Sequence, residues 1–115
     1  MEVKRRSYLY ALGVIQFIDS LDKKDITTPI IAKQLLRSAT SIGANIIEAQ
    51  AGSSKKDFTN FFNHALKSAN ESIFWLNLLI DSKKSDTLYA EKLLKETTEI
   101  ANILGSSVLT LKKNI

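Results

Sequence analysis

The sequence predicts an all-α fold, an antiparallel up-down-up-down four-helix bundle in a single domain spanning residues 1–115. Three observations predict it. Gly and Pro together account for four and one of the 115 residues, too few for a loop-rich β-fold. Short polar breaks divide the chain into four segments without an internal proline, at roughly 4–22, 29–50, 55–81 and 87–113. Three of these segments repeat apolar residues at spacings of three and four, the period of a helix that buries one face.

Helix 1 is the exception to that one-sided pattern. Tyr8, Leu9, Leu12, Val14, Ile15, Phe17, Ile18 and Leu21 cover most of its circumference. A helix apolar nearly all round is buried on more than one side. Its uncharged run from Ser7 to Ile18 is too short for a membrane span, which needs about 20 apolar residues. The basic opening Lys4-Arg5-Arg6 mimics a signal peptide only faintly. Gln16, Asp19 and Asp22 interrupt the pattern, and no small-residue cleavage site follows. No membrane role is expected, and a cytoplasmic location fits a cysteine-free chain best.

Helix 2 follows the break Lys23–Thr28, with Thr28 as N-cap and Pro29 in the first turn. Its seam is Ile31, Leu35, Ala39, Ile42, Ile46 and Ala49. Helix 3 follows Ala51-Gly52-Ser53-Ser54, where Ser54 and Asp57 form a variant capping box. Its seam is Phe58, Phe62, Ala65, Ala69, Ile73, Leu76 and Ile80. Helix 4 follows the break 81–86, with Asp86 or Ser85 as N-cap. Its seam is Leu93, Ile100, Leu104 and Leu111, flanked by Leu94, Ala101 and Val108. Short connections make sequential helices antiparallel neighbours.

Composition excludes several chemistries. With no cysteine there is no disulfide scaffold, thiolate zinc site or cysteine nucleophile. His64 is the single histidine and falls on the outer side of helix 3. The glycines are isolated, so no phosphate-cradling loop occurs. Glu48 and Glu71 can face one another between helices 2 and 3, but an ion pair of either with Arg37 is the simpler arrangement. No enzyme activity, cofactor or metal is expected.

Three residue sets are left over after the core. The first is Arg37, Ser41, Asn45 and Glu48, one polar stripe on helix 2. It reads either as a solvated face with an Arg37–Ser41 and Asn45–Glu48 ladder, or as a network contacting helix 3 or a neighbouring subunit. The second is Phe74, Trp75 and Leu78, which point away from the helix 3 seam and suggest an oligomer interface. The third is a set of basic doublets near the segment ends. The net charge of +4 arises from 16 basic and 12 acidic residues. Lys23, Lys24, Lys55, Lys56, Lys83 and Lys84 at the bundle tips are the candidate phosphate contacts. No aromatics interleave with these lysines, so shape rather than base stacking is expected to be read.

The stretch Gln34-Leu35-Leu36-Arg37-Ser38-Ala39-Thr40-Ser41-Ile42-Gly43-Ala44-Asn45-Ile46-Ile47-Glu48-Ala49 resembles the signature of the four-helix-bundle family of 23S rRNA intervening-sequence proteins. Ser54, Asp57, Phe58, Ala65, Ser68, Ala69, Glu71 and Trp75 resemble its following block. Gly43 stands where many members have Pro, and helix 1 lacks the aromatic opening many carry. The resemblance implies a ring-shaped homopentamer, and relatives among retroelement accessory proteins associate with nucleic acid. The expected partners are therefore further copies of itself, RNA or DNA, and a protein partner if the chain acts as a scaffold. The resemblance assigns no catalysis to Arg37, Ser41, Asn45 or Glu48.

Overall fold

The structure is a computed structural model that describes residues 1–52 and 54–113. Four helices pack into one bundle: α1 (Val3–Ser20), α2 (Thr27–Ala51), α3 (Lys55–Asp81) and α4 (Thr87–Lys113). The helices fall close to the predicted segments because the breaks carry real stop and start chemistry. Ser54 Oγ accepts from the Asp57 N–H at 3.1 Å, and Asp86 Oδ1 accepts from the Tyr89 N–H at 3.1 Å. Both satisfy first-turn donors that a helix start leaves open.

The start of α2 differs from expectation. The helix begins at Thr27, and Thr28 lies inside it, fully buried. Asp25 supplies the cap instead. Its Oδ2 accepts from the Thr28 N–H at 3.3 Å and from the Thr27 and Thr28 hydroxyls at 3.1 and 2.9 Å. A carboxylate outcompetes a hydroxyl there because it can accept several bonds beside the positive end of the helix dipole.

α3 ends in a paired hydrogen-bond motif. The Lys83 N–H donates to Ile80 O and the Lys84 N–H to Leu79 O, both at 3.0 Å. This is the Schellman arrangement, which needs a left-handed residue after the cap. Lys83 takes that conformation at φ 59°. The position usually goes to glycine, and a side chain there carries a cost of about 1 kcal/mol.

The core includes Val14, Phe17, Leu35, Ile42, Ile46, Phe62, Leu76, Leu79, Ile100 and Leu104. Phe58, Ile73 and Ile80, placed on the α3 seam by spacing, are only half-buried. Leu79, Thr59 and Ser72 take the buried positions. The displacement follows from a polar layer through the centre of the bundle. Ser38 Oγ and Ser72 Oγ stand 2.8 Å apart, and the Thr97 and Tyr10 hydroxyls are hydrogen-bonded at 2.6 Å. Each of the four helices thus contributes one hydroxyl to the buried layer: Tyr10, Ser38, Ser72 and Thr97. Burial pushes the Tyr10 phenol up to about 12, against the opposing effect of the Thr97 and Ser72 hydrogen bonds.

α1 is not buried on all sides. Tyr8, Leu9, Leu12 and Ile15 are exposed, while Ser7, Tyr10, Val14 and Phe17 are buried. At its front, Ser7 meets Gly43 of α2, where an added Cβ would stand 3.3 Å from Ser7 Oγ. Arg6 is held on the opposite side by Glu96 at 2.7 Å and by Glu99 of α4. These hydrogen bonds and charges raise the Arg6 guanidinium above its ordinary range and lower the Glu96 carboxyl.

Candidate nucleic-acid interface

The lysine doublets look alike in sequence but occupy two different electrostatic settings. Lys84 Nζ pairs with Asp25 at 3.0 Å, which brings the α1–α2 and α3–α4 connections together at one end. This pairing, with the threonine hydrogen bonds, holds the Asp25 carboxyl well below the usual range. Lys23 Nζ donates to Ile18 O at 2.6 Å and Leu21 O at 3.0 Å, capping the end of α1. The Lys24 N–H donates to Asp22 Oδ1. Lys83 occupies the left-handed position that ends α3. Asp19, Asp22, Asp25, Asp81 and Asp86 share this end with the four lysines.

The other end has the opposite balance. Leu111 of α4 lines the same cleft as Gly52, Ser54, Lys55 and Phe58, so the end of α4 meets the α2–α3 turn. Lys4 and Arg5 line a groove with Gly43, Ala44 and Ile47 of α2, which places the front of α1 toward the same end. Lys4, Arg5, Lys55, Lys56, Lys112 and Lys113 therefore gather there, with Glu2, Glu48 and Asp57 as the accompanying carboxylates. Of the six sequence-predicted lysines, the structure brings Lys55 and Lys56 into a cation-rich cluster. It places Lys23, Lys24, Lys83 and Lys84 at the end shared with five aspartates, where Lys84 pairs with Asp25 and Lys23 bonds to backbone carbonyls. The sequence carries a readable signal for this division, since aspartates flank only the first and third breaks in such number.

The polar stripe on α2 is a network with α3 rather than a separate ladder. Arg37 pairs with Glu71 and donates to Gln34 Oε1 at 3.2 Å, not to Ser41. Asn45 Nδ2 donates to Ser41 O and Oγ at 2.9 and 3.0 Å, not to Glu48. Ser68 Oγ of α3 donates to Ser41 Oγ at 3.0 Å. Arg37 and Ser41 thus reach across to α3, while Asn45 bonds back along α2 to Ser41. Glu48 lies one turn further on, exposed.

Phe74 and Leu78 are exposed, and Trp75 is half-buried beside them. The Trp75 Nε1–H donates to Glu71 Oε2 at 2.9 Å. Phe74 packs edge-on against Trp75 with ring centroids 4.9 Å apart. Arg37, Glu71, Trp75 and Phe74 thus form one connected surface unit across α2 and α3. His64 is exposed, as its spacing predicts. Among the described residues, no group of three or more His, Cys, Asp or Glu side chains could hold a metal ion, and no helix is long and apolar enough to cross a membrane.

An all-α, four-helix bundle with one cation-rich end is the class of protein these features define. The chain belongs to the 23S rRNA-intervening sequence protein family, whose pattern matches residues 1–106. It is similar to a crystal structure of a protein of unknown function from the S23 ribosomal protein family of Bacteroides thetaiotaomicron. The two are 38% identical, with a TM-score of 0.86, covering 93% of this chain and 98% of the other. No curated protein matches.

Proposed function

We propose that this chain is a non-enzymatic, cytoplasmic protein that assembles as a ring-shaped homopentamer of antiparallel up-down-up-down bundles and binds RNA or DNA electrostatically. The observation that carries the nucleic-acid reading is the sorting of charge between the two ends. Lys4, Arg5, Lys55, Lys56, Lys112 and Lys113 stand at one end, while the lysines of the other end stand among aspartates. Five copies at +4 would carry about +20, and a ring would align equivalent ends into one field. The pairings Ser38–Ser72 and Ser41–Ser68, whose numbers rise on α2 as they fall on α3, support the antiparallel order. The reading assigns no catalytic role and no cofactor to any residue.

The test is a fluorescence-anisotropy titration with a structured RNA and a DNA duplex at several salt concentrations. Reversing Lys4, Lys56 and Lys112 to Glu is expected to lower affinity at least about tenfold. It should also flatten the salt dependence, by roughly one in slope for each phosphate the protein ceases to neutralise. Reversing Lys24 and Lys83 should lower affinity less per charge reversed, since five aspartates share their end of the bundle. If the unmodified protein binds neither probe at low salt, a protein–protein scaffold is the better reading.

The pentamer rests on the exposed apolar surface at Phe74, Trp75 and Leu78 together with the family resemblance. Phe74→Glu combined with Leu78→Glu is expected to reduce the mass in light scattering about fivefold, to that of one chain, because two carboxylates cannot be buried unpaired at an interface. An unchanged mass would place the interface elsewhere.

A further inference from the structure

We infer that the groove between the front of α1 and the rear of α2 takes an unstacked base of a single-stranded nucleic acid against the ring of Tyr8. This rests on the nucleic-acid reading above and names the form of nucleic acid that the basic end would select.

The local sequence Lys4-Arg5-Arg6-Ser7-Tyr8 determines the arrangement. Arg6 is committed to Glu96 and Glu99 on the α4 side of the helix. Ser7 is buried against Gly43 and donates to Lys4 O at 2.9 Å. Lys4, Arg5 and Tyr8 are left to line the groove toward α2. Tyr8 lies four residues after Lys4 and three after Arg5, so ring and cations sit one helical turn apart on neighbouring faces. A cation beside an exposed aromatic ring is the pairing by which single strands are bound: the cation takes the phosphate and the ring takes the base.

Three further observations favour Tyr8 over the other rings. It is 59% exposed. The other exposed or half-buried aromatics are already engaged in ring pairs: Tyr89 with Phe17, Phe58 with Phe62, Phe61 with His64, and Phe74 with Trp75. Trp75 also carries Glu71 on its indole nitrogen, a carboxylate that would repel a phosphate. Tyr8 is therefore the one exposed ring, among the described residues, with no ring partner.

The groove itself suits a flat ligand. It measures about 680 Å³, within the roughly 300–1,000 Å³ range of small-ligand sites. Small residues, Ala11, Gly43 and Ala44, line it together with the exposed apolar side chain of Ile47. Glu2 is the one carboxylate lining it, against the two cations. A duplex cannot use the site, because both faces of each paired base are already stacked.

The experiment compares a short oligothymidylate with a duplex of equal length by anisotropy, using the full chain at fixed salt. The unmodified protein is expected to prefer the single strand at least about fivefold. Tyr8→Ala should lower single-strand affinity about tenfold while leaving duplex affinity and the salt slope unchanged. Tyr8→Phe, which keeps the ring face, should retain the preference. Equal loss for both probes, or no loss for either, overturns the stacking site while leaving the electrostatic reading intact. Binding of neither probe by the unmodified protein overturns both. A changed assembly mass for Tyr8→Ala would assign this groove to contact between copies and overturn the inference.

Discussion

Replacing Phe17 by alanine is expected to destabilise the fold by about 3–5 kcal/mol and to release α1 ahead of the other helices. Phe17 is fully buried and meets Tyr89 of α4 edge-on, with ring centroids 5.2 Å apart. α1 buries only four side chains within its length, and two of them, Ser7 and Tyr10, carry hydroxyls. Phe17, with Val14 and the ring of Tyr10, therefore supplies most of the apolar attachment of this helix. Truncating Phe17 removes its transfer free energy and leaves a cavity that a helix held at both ends cannot fully close. α2 buries eight side chains, so the loss falls unevenly. Denaturant titration measures the total, and amide hydrogen exchange measures its distribution. Protection should collapse first along α1 and persist in α2 and α3. A midpoint shift worth less than about 1 kcal/mol would mean that α1 is anchored by its ends, through Arg6 and the Lys23 cap.

The contrast between α1 and the other helices also explains how far sequence reading reaches. Spacing locates α2, α3 and α4 and most of their buried residues, because apolar residues fall on one side of each. α1 offers no such direction. Leu9, Leu12 and Ile15 have much the same hydropathy as Val14 and Phe17, and only packing decides which face turns inward. The groove position of Tyr8 is illegible in the chain for that reason. The α3 seam differs between spacing and structure by one residue at each of three places, two of them because Thr59 and Ser72 are polar by type yet buried in fact. Hydropathy cannot distinguish a serine facing water from one facing Ser38. The charge division between the ends is closer to legible. Its ingredients, five aspartates beside four lysines, are plain in the chain, but it takes the fold, through the Lys84–Asp25 pair, to bring the two connections together. The Arg37–Glu71 pair follows from charge alone. Its link to Trp75 is less legible, since the i,i+4 spacing allows the contact but does not say which way the indole N–H turns.

The polar layer gives a second large effect, confined to alkaline pH. The Tyr10 phenol ordinarily titrates near 10.0 and is pushed up to about 12 in the folded chain, chiefly by burial. The neutral phenol is thus favoured by folding. Its contribution is fully present below pH 10 and is lost as pH rises from 10 toward 12, because the unfolded chain releases the proton first. The loss across that window is about 2–3 kcal/mol for such a change in pKa. Tyr10→Phe cannot ionise and should lack this component. At pH 7 the variant is expected to lose only about 1 kcal/mol. Thr97 Oγ1 keeps its bond to Leu93 O at 2.7 Å, and Ser72 keeps Ser38 and Ser68 O, so no buried group is stranded. The two stability curves should therefore converge and cross between pH 10 and 12, with the variant the more stable at the top of the range. Urea midpoints at pH 8, 10, 11 and 12 would show it. Parallel curves would mean that water reaches Tyr10 as readily in the folded chain as in the unfolded one. The hydroxyl layer would then be an open seam rather than a sealed one. That outcome would also weaken the account of why Ser72 and Thr97 occupy core positions, since hydroxyls that can bond to water need no partners on the other helices.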